Sequence, residues 1–514
     1  MRTKNSIYNV FSNLFIVLFQ TIMLFVVRTF FIKILGEENL GLSGLFTNIL
    51  NILSVTELGI GTIISFSLYK PLSENDTKKI NALMNFYKKF YYLAGIIIIV
   101  LGILIIPFLP FFVKDYNANN VYVIYLLYLI NTAFIYFVAY KEILILSDQK
   151  NYKLTNINFI FMLIMYLLQI FVLVKFKSFV LYLVVQFIIT LIQKIFINIY
   201  ITKSYPKVDF KSKNKLDKKT LKEIKDNLKC LFFNKVGELL IFCTDNLLIS
   251  SLVNLVSVGI YSNYSSIITI TRTLINSIYT AVTASFGDFA LKADGESKKV
   301  IFEIMDFVRF LLYGICTIGF FLLINYFITL WIGKDYVFNM LITFIICLNF
   351  YLMGTQVSLD VIKQALGFFK KDRFVTLIQA VFNLVLSIIL GLKYGIIGIL
   401  IATSVSYIIL PCWNKPYLIY KYIFNCSVKK YYLKEILNIF ALVIIGVASY
   451  YALEMINIPI SIIGFIVNVI IVTLIFAVII SIFYFHTSQY KFLLNFIIGK
   501  IKTIMNRKER PTNE

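Results

Sequence analysis

Apolar runs dominate the pattern, broken by short polar clusters at intervals of about 20 residues. Runs such as Ala94–Phe112, Phe159–Val174 and Ile460–Phe485 approach or exceed the length that spans a bilayer. They are continuously apolar and do not alternate, which excludes a β-barrel. Run length and flanking charge predict an all-α polytopic membrane protein with about 14 helices. The predicted spans are 9–35, 42–69, 87–112, 120–147, 154–174, 178–201, 231–253, 257–287, 302–332, 336–361, 374–392, 395–423, 434–453 and 460–485. Composition agrees: 60% of the 514 residues are hydrophobic and the mean hydropathy is +0.85, above the half-apolar balance of soluble chains.

Charge adds an orientation. A net charge of +23 would suggest nucleic acid in a soluble protein, but here it fits the positive-inside bias of cytoplasmic loops. With the N-terminus placed inside, cytoplasmic segments hold 39 of the 49 Lys and Arg and external loops hold six. That split requires an even helix count and both termini in the cytoplasm. Arg28, Lys194, Arg272 and Arg309 are left inside helices. The six cysteines are scattered singly and His486 is the only histidine, so no metal site or disulfide framework is expected. No cleavable leader is expected. There is no phosphate loop ending in Gly-Lys-Ser/Thr, so no ATPase of that kind is expected, and no cofactor is called for.

The longest polar interruption, residues 203–229, carries ten lysines against four acids. Leu221, Ile224 and Leu228 recur in it at helical spacing, which fits a short amphipathic helix on the inner leaflet. A solvated linker is the plainer reading.

One stretch, Glu238–Tyr264, organises the rest. It reads as the end of one membrane helix, a short turn and the start of the next, with Glu238 and Asp245 in an apolar setting. A carboxylate there costs roughly 2.5–3.5 kcal/mol. The stretch has an echo. Val27–Ile32 and Gly41–Phe46 align without gaps on Asp245–Ser250 and Gly259–Tyr264, an offset of 218 residues. Tyr140–Leu144 echoes Ile362–Leu366 at an offset of 222. Two echoes at nearly one offset predict that helices 1–6 and 7–12 are repeats of the same orientation, with the substrate path between them. The expected organisation is an N-lobe at 1–202, a basic linker at 203–230, a C-lobe at 231–425, an extra helix pair at 426–486 and a basic tail at 487–514.

Polar stripes mark the residues able to carry chemistry. Helix 8 repeats Ser262, Ser265, Thr269, Arg272, Asn276, Thr280 and Thr283 every three or four residues. Helix 2 shows Asn48, Asn51, Ser54, Gly61 and Ser65 with Glu57 beside them. Helix 1 places Asn13, Gln20, Thr21 and Arg28 in line, and helix 7 places Asn234, Glu238 and Asp245 likewise. Any single Ser, Thr or Asn reads first as helix–helix glue. Charges among them favour a hydrated interior. Arg28 and Arg272, with Asn48 and Asn276, are the candidates for an anionic substrate, because a guanidinium is always charged and matches phosphate oxygens two at a time. Asp245, Glu238 and Glu57 are candidates for holding those arginines or binding a coupling cation, with permanent ion pairing as the alternative. Lys141 and Lys363 sit at predicted inner helix ends, where pairing or snorkelling competes with gating. Glu303, Asp306 and Arg309, three apart, read as local structural pairs.

Several stretches together resemble the polysaccharide-export (Wzx-type) flippases of the multidrug/oligosaccharidyl-lipid/polysaccharide exporter superfamily. They are Leu35–Phe46, Glu57-Leu-Gly-Ile-Gly61, Ser67–Pro71, Asp148–Tyr152, Thr244–Asn246 and Val258–Tyr264. The resemblance covers helices 1–12. It implies two six-helix lobes around a cavity, and transfer of an undecaprenyl-pyrophosphate-linked oligosaccharide from the inner to the outer leaflet. The extra helix pair is similar in number to that of the lipid II flippases, where it forms a lipid groove. Implied partners are the lipid-linked oligosaccharide, membrane lipids and the downstream polysaccharide assembly machinery, with no nucleic acid. An ion or proton gradient, or downstream consumption of the lipid, would supply the energy. The rivals are a cation-coupled multidrug antiporter of the same fold, a lipid II flippase and a membrane glycosyltransferase or polymerase. Short loops disfavour the last.

Overall fold

The computed structural model describes residues 2–54, 59–113, 120–148, 150–212, 214–292, 294–366, 374–495 and 499. Among these the chain is helical and carries no strand. In order the helices are α1 (Arg2–Leu53), α2 (Ile60–Glu74), α3 (Thr77–Ile105), α4 (Leu109–Phe112), α5 (Val121–Val138), α6 (Glu142–Ser147), α7 (Asn151–Phe176), α8 (Phe179–Ser204) and α9 (Lys218–Leu252). There follow α10 (Leu255–Lys292), α11 (Gly295–Trp331), α12 (Met340–Gly354), α13 (Val357–Ala365), α14 (Val375–Tyr394), α15 (Ile396–Ile409), α16 (Pro411–Tyr422), α17 (Lys429–Ile456) and α18 (Ile462–Tyr484). Ten helical stretches among the described residues are long and apolar enough to cross a membrane, so the protein is a multi-pass membrane protein.

Local chemistry sets the breaks. Gly36, at φ 82°, interrupts α1, where the first span was expected to end. The left-handed conformation costs a glycine little. Gly395, at φ 59°, turns α14 back into α15, and Asn383 Nδ2 donates to Thr403 Oγ1 at 3.1 Å between them. One 48-residue apolar stretch, Val375–Tyr422, therefore contains the hairpin that the sequence placed between 392 and 395. Asp217, Asp294, Asn339 and Ser461 begin helices by accepting from the backbone N–H three residues on.

The chain divides into two compact units. The first holds Met1–Ser266 with Arg373–Thr403, the second Ile267–Asp372 with Ser404–Glu514.

In the first unit α1 packs on α7 and α9, α5 on α3 and α8, and α14 on α9. Two close approaches of α1 and α10 depend on glycine. A Cβ on Gly41 would lie 2.2 Å from the Leu255 carbonyl oxygen, and one on Gly259 would lie 2.6 Å from that of Glu37. These are the glycines that head the two echoing hexapeptides, and the echoes meet each other in the fold.

The basic linker before α9 is mostly exposed but not detached. It is a strap fastened to the helix ends of its own unit. Tyr205 Oη donates to Asp148 Oδ2 at 2.7 Å, the Asp209 N–H to Asn81 Oδ1 at 3.0 Å, and Asn85 Nδ2 to the Asn214 carbonyl at 2.9 Å. Tyr205 and Phe210 pack on a small core of Ile145, Leu154, Ile197 and Ile201. Burial, and then Asp148, hold the Tyr205 phenol above its ordinary pKa, so it remains a donor. Leu221, Ile224 and Leu228 belong to no separate helix: α9 begins at Lys218 and runs on without a break, because nothing from there to Leu252 forces the backbone out of helix.

In the second unit α11 is the hub, touching α12, α13, α17 and α18. Its Arg309 is fully buried. The guanidinium donates from Nε to Asp306 Oδ1 at 2.9 Å and from Nη2 to Glu435 Oε1 at 2.5 Å. Ser358 Oγ also donates to Asp306 at 2.8 Å. Asn438 Nδ2 donates to Glu435 at 3.0 Å, and its Oδ1 receives from Tyr484 Oη at 2.5 Å. One buried polar network thus ties α11, α13, α17 and α18. The Asp306–Arg309 pair matches the local pairing expected from their spacing. Glu303 instead faces Lys299 at 4.0 Å and accepts from Gln489 at 3.0 Å.

Candidate functional site

Arg28 is the best-defined candidate. It sits in α1 eight residues before the Gly36 break, half-buried. Its Nε donates to Asn263 Oδ1 at 2.8 Å, Nη1 to Ser266 Oγ at 3.0 Å and Nη2 to Ser262 Oγ at 2.5 Å. All three partners lie on the first turns of α10, which the glycine contacts hold against α1. The serine hydroxyls are oriented in turn: Ser262 Oγ donates to the Gly259 carbonyl and Ser266 Oγ to the Ser262 carbonyl, both at 2.6 Å. They therefore present lone pairs to the guanidinium.

Every one of these partners is neutral. No carboxylate among the described residues pairs with Arg28. A guanidinium carries five N–H groups, and only three are engaged. A full positive charge is held in position with donors to spare, the arrangement that receives an oxyanion.

Asp245 presents the opposite sign. It is buried on α9, with Thr403 Oγ1 donating to its Oδ1 at a long 3.4 Å. Thr403 itself is held by Asn383 of α14. No ion pair joins Asp245 to Arg28 or to any other described cation. A buried carboxylate served by one weak hydrogen bond is costly as an anion, so it is suited to taking up a proton or a small cation. Asn246, which the echo aligns with Arg28, is also buried, and its Oδ1 has no hydrogen-bond partner among the described residues.

The remaining candidates are placed as follows. Asn48 is half-buried and its amide donates to the Gly44 carbonyl of its own helix at 2.8 Å. Glu57 lies outside the described residues, as does the side chain of Glu238, whose backbone is in α9. Arg272 and Asn276 lie on α10 in the part belonging to the second unit, both half-buried. Lys141 is buried. It donates to Asn198 Oδ1 at 2.5 Å and Thr202 Oγ1 at 2.8 Å of α8, and lies 4.4 Å from the centre of the Phe210 ring on the strap. Its neighbour Glu142 pairs with Lys194 at 2.7 Å. Lys363 faces Asp360 at 3.6 Å, but Lys415 binds the same carboxylate more closely, at 2.9 and 3.1 Å.

Sequence reasoning finds Arg28 and Asp245 but not Asn263, Ser266 or Thr403 as their partners. Asn263 sits in the echoing hexapeptide, one place from the polar stripe, and that is its only signal.

A family model described as "Polysaccharide biosynthesis protein" matches residues 6–284. Among curated proteins none matches the chain by sequence. Solved structures share its fold. The lipid II flippase MurJ, in an inward closed conformation, aligns with a TM-score of 0.62 at 17% identity, covering 94% of this chain and 99% of that one. An inward-facing multidrug resistance MATE family transporter of the MOP superfamily gives 0.60 at 15% identity, covering 76% and 92%. A Vibrio cholerae MATE transporter in a bent form gives 0.54 at 13% identity, covering 82% and 98%.

Proposed function

The chain belongs to the polysaccharide biosynthesis protein family, and from that membership we propose that it flips a polyprenyl-pyrophosphate-linked oligosaccharide across the bacterial cytoplasmic membrane by alternating access. A membrane transporter or flippase, and not an enzyme, is what the family and the structural relatives have in common. The observation that carries the finer reading is Arg28, an oriented guanidinium in a membrane helix with neutral partners only. A pyrophosphate cannot cross about 30 Å of hydrocarbon unaided. Arginine donors replace its hydration while the polyprenyl tail stays in lipid. Arg272, Asn48 and Asn276 extend the substrate-binding set, and Asp245, with Glu238 and Glu57, takes the coupling ion or proton. Lys141 and Lys363 act at the inner helix ends. Both termini lie in the cytoplasm.

The test uses the purified protein in liposomes with a fluorescent polyprenyl-pyrophosphate oligosaccharide. Wild type exposes the lipid in the opposite leaflet, and Arg28→Ala and Arg272→Ala slow that exposure while keeping their fold. Normal flipping by both variants overturns the phosphate assignment. Movement of lipophilic cations without lipid-linked sugar overturns the flippase reading in favour of a multidrug antiporter.

A further inference from the structure

The second unit holds a cavity of about 280 Å³ where α11 and α17 begin and α18 ends. None of its residues belongs to the proposed transport site. Its polar wall carries Lys299, Lys430 and Lys434 against Glu303 and Asp306. The two carboxylates are largely committed elsewhere. Asp306 is bound by Arg309 at 2.9 Å, leaving Lys434 at 3.9 Å from its other oxygen and with no hydrogen-bond partner for its buried Nζ among the described residues. Glu303 faces Lys299 only at 4.0 Å and accepts from Gln489. Lys430 has no carboxylate partner among the described residues. The wall therefore keeps an uncompensated positive charge.

The rim is of another kind. Leu437 of α17 and Phe483 of α18 line the cavity and are also about half exposed, at 53% and 45%. They continue the apolar outer faces of two membrane-crossing helices. A pocket with a cationic interior and a lipid-facing apolar rim matches a molecule with an anionic head and a hydrocarbon chain. We propose that this cavity binds the phosphate of a membrane lipid, with Lys299, Lys430 and Lys434 as its cationic contacts and the lipid chain laid over Leu437 and Phe483. A glycerophospholipid and a polyprenyl phosphate share this chemistry. A free phosphate lacks the chain that the rim would hold.

Native mass spectrometry of the full-length protein in detergent tests this, titrated separately with phosphatidylglycerol, a polyprenyl phosphate, diacylglycerol and inorganic phosphate. Wild type retains one phosphate lipid, and Lys299→Gln with Lys430→Gln weakens that binding about tenfold or more, the equivalent of one strong charged contact. The exposed Lys421→Gln serves as the control and leaves it unchanged. Lys434 is left in place because it faces Asp306, and an unchanged unfolding midpoint shows that the double variant is folded. Preference for one phosphate lipid over the other identifies the source. Equal retention by wild type and double variant, diacylglycerol binding as tightly as phosphatidylglycerol, or inorganic phosphate competing at equal concentration overturns the proposal. Because occupancy is read without transport, this result is separate from the fate of the flippase reading.

Discussion

Arg28 and Arg309 are both arginines in apolar helices, and their surroundings differ in kind. Arg309 is fully buried and meets two carboxylates, Asp306 and Glu435. Arg28 is half-buried and meets two serines and an asparagine. The first charge is neutralised inside its own unit, and its network joins four helices. The second is oriented but not neutralised. A charge whose partners are all neutral keeps its field for something that arrives later; a charge already paired does not. Burial alone would rank Arg309 as the more unusual residue, yet its charge is already met by two carboxylates.

The largest expected effect lies with Arg309. Arg309→Ala leaves Asp306 and Glu435 buried without their cation and destabilises the protein by about 3–5 kcal/mol, read as a lower unfolding midpoint or loss of the folded protein from membranes. A midpoint equal to wild type would erase the distinction between the two arginines. Next comes the same change at Arg28. Arg28→Ala removes charged hydrogen bonds to neutral partners, of which Asn263 and Ser262 are buried, and shifts stability by about 1–3 kcal/mol, while lipid flipping in liposomes falls about tenfold or more. An Arg28→Ala protein that flips normally but unfolds early would put Arg28 in the structural class. Arg28→Lys sharpens the contrast: it keeps the charge but loses the planar fork, and flipping is expected to fall between wild type and Arg28→Ala. The smallest effect belongs to Ser266→Ala, which removes one acceptor at 3.0 Å and frees one more N–H. Flipping is expected to change by less than about threefold, within the net worth of one hydrogen bond.

The two networks also show where sequence reading stops. Asp306 and Arg309 are three residues apart on one helix, so their pairing is set by helical geometry and is legible. Glu435 is 126 positions away, and nothing local announces it. Arg28 is legible as a charge that an apolar helix does not need. Its partners lie 234 to 238 positions on, and only the hexapeptide echo and the polar stripe that starts at Ser262 bring that part of the chain to notice. The breaks at Gly36 and Gly395 are legible because glycine and apolar periodicity act within a few residues. The linker is not, because its lysines suggest solvent, while its fastening depends on Asn81, Asn85 and Asp148, which a chain-order reading leaves far away.

That fastening bears on how the protein is made. The bonds from the Asp209 N–H to Asn81 and from the Asn85 amide to the Asn214 carbonyl join positions 128 and 129 residues apart, so they cannot close until the helices before the strap have been synthesised. Residues 205–214 are also made before α9 and everything after it. Seating the strap therefore needs the preceding helices in place, and it can happen while the remainder of the chain is still to be translated.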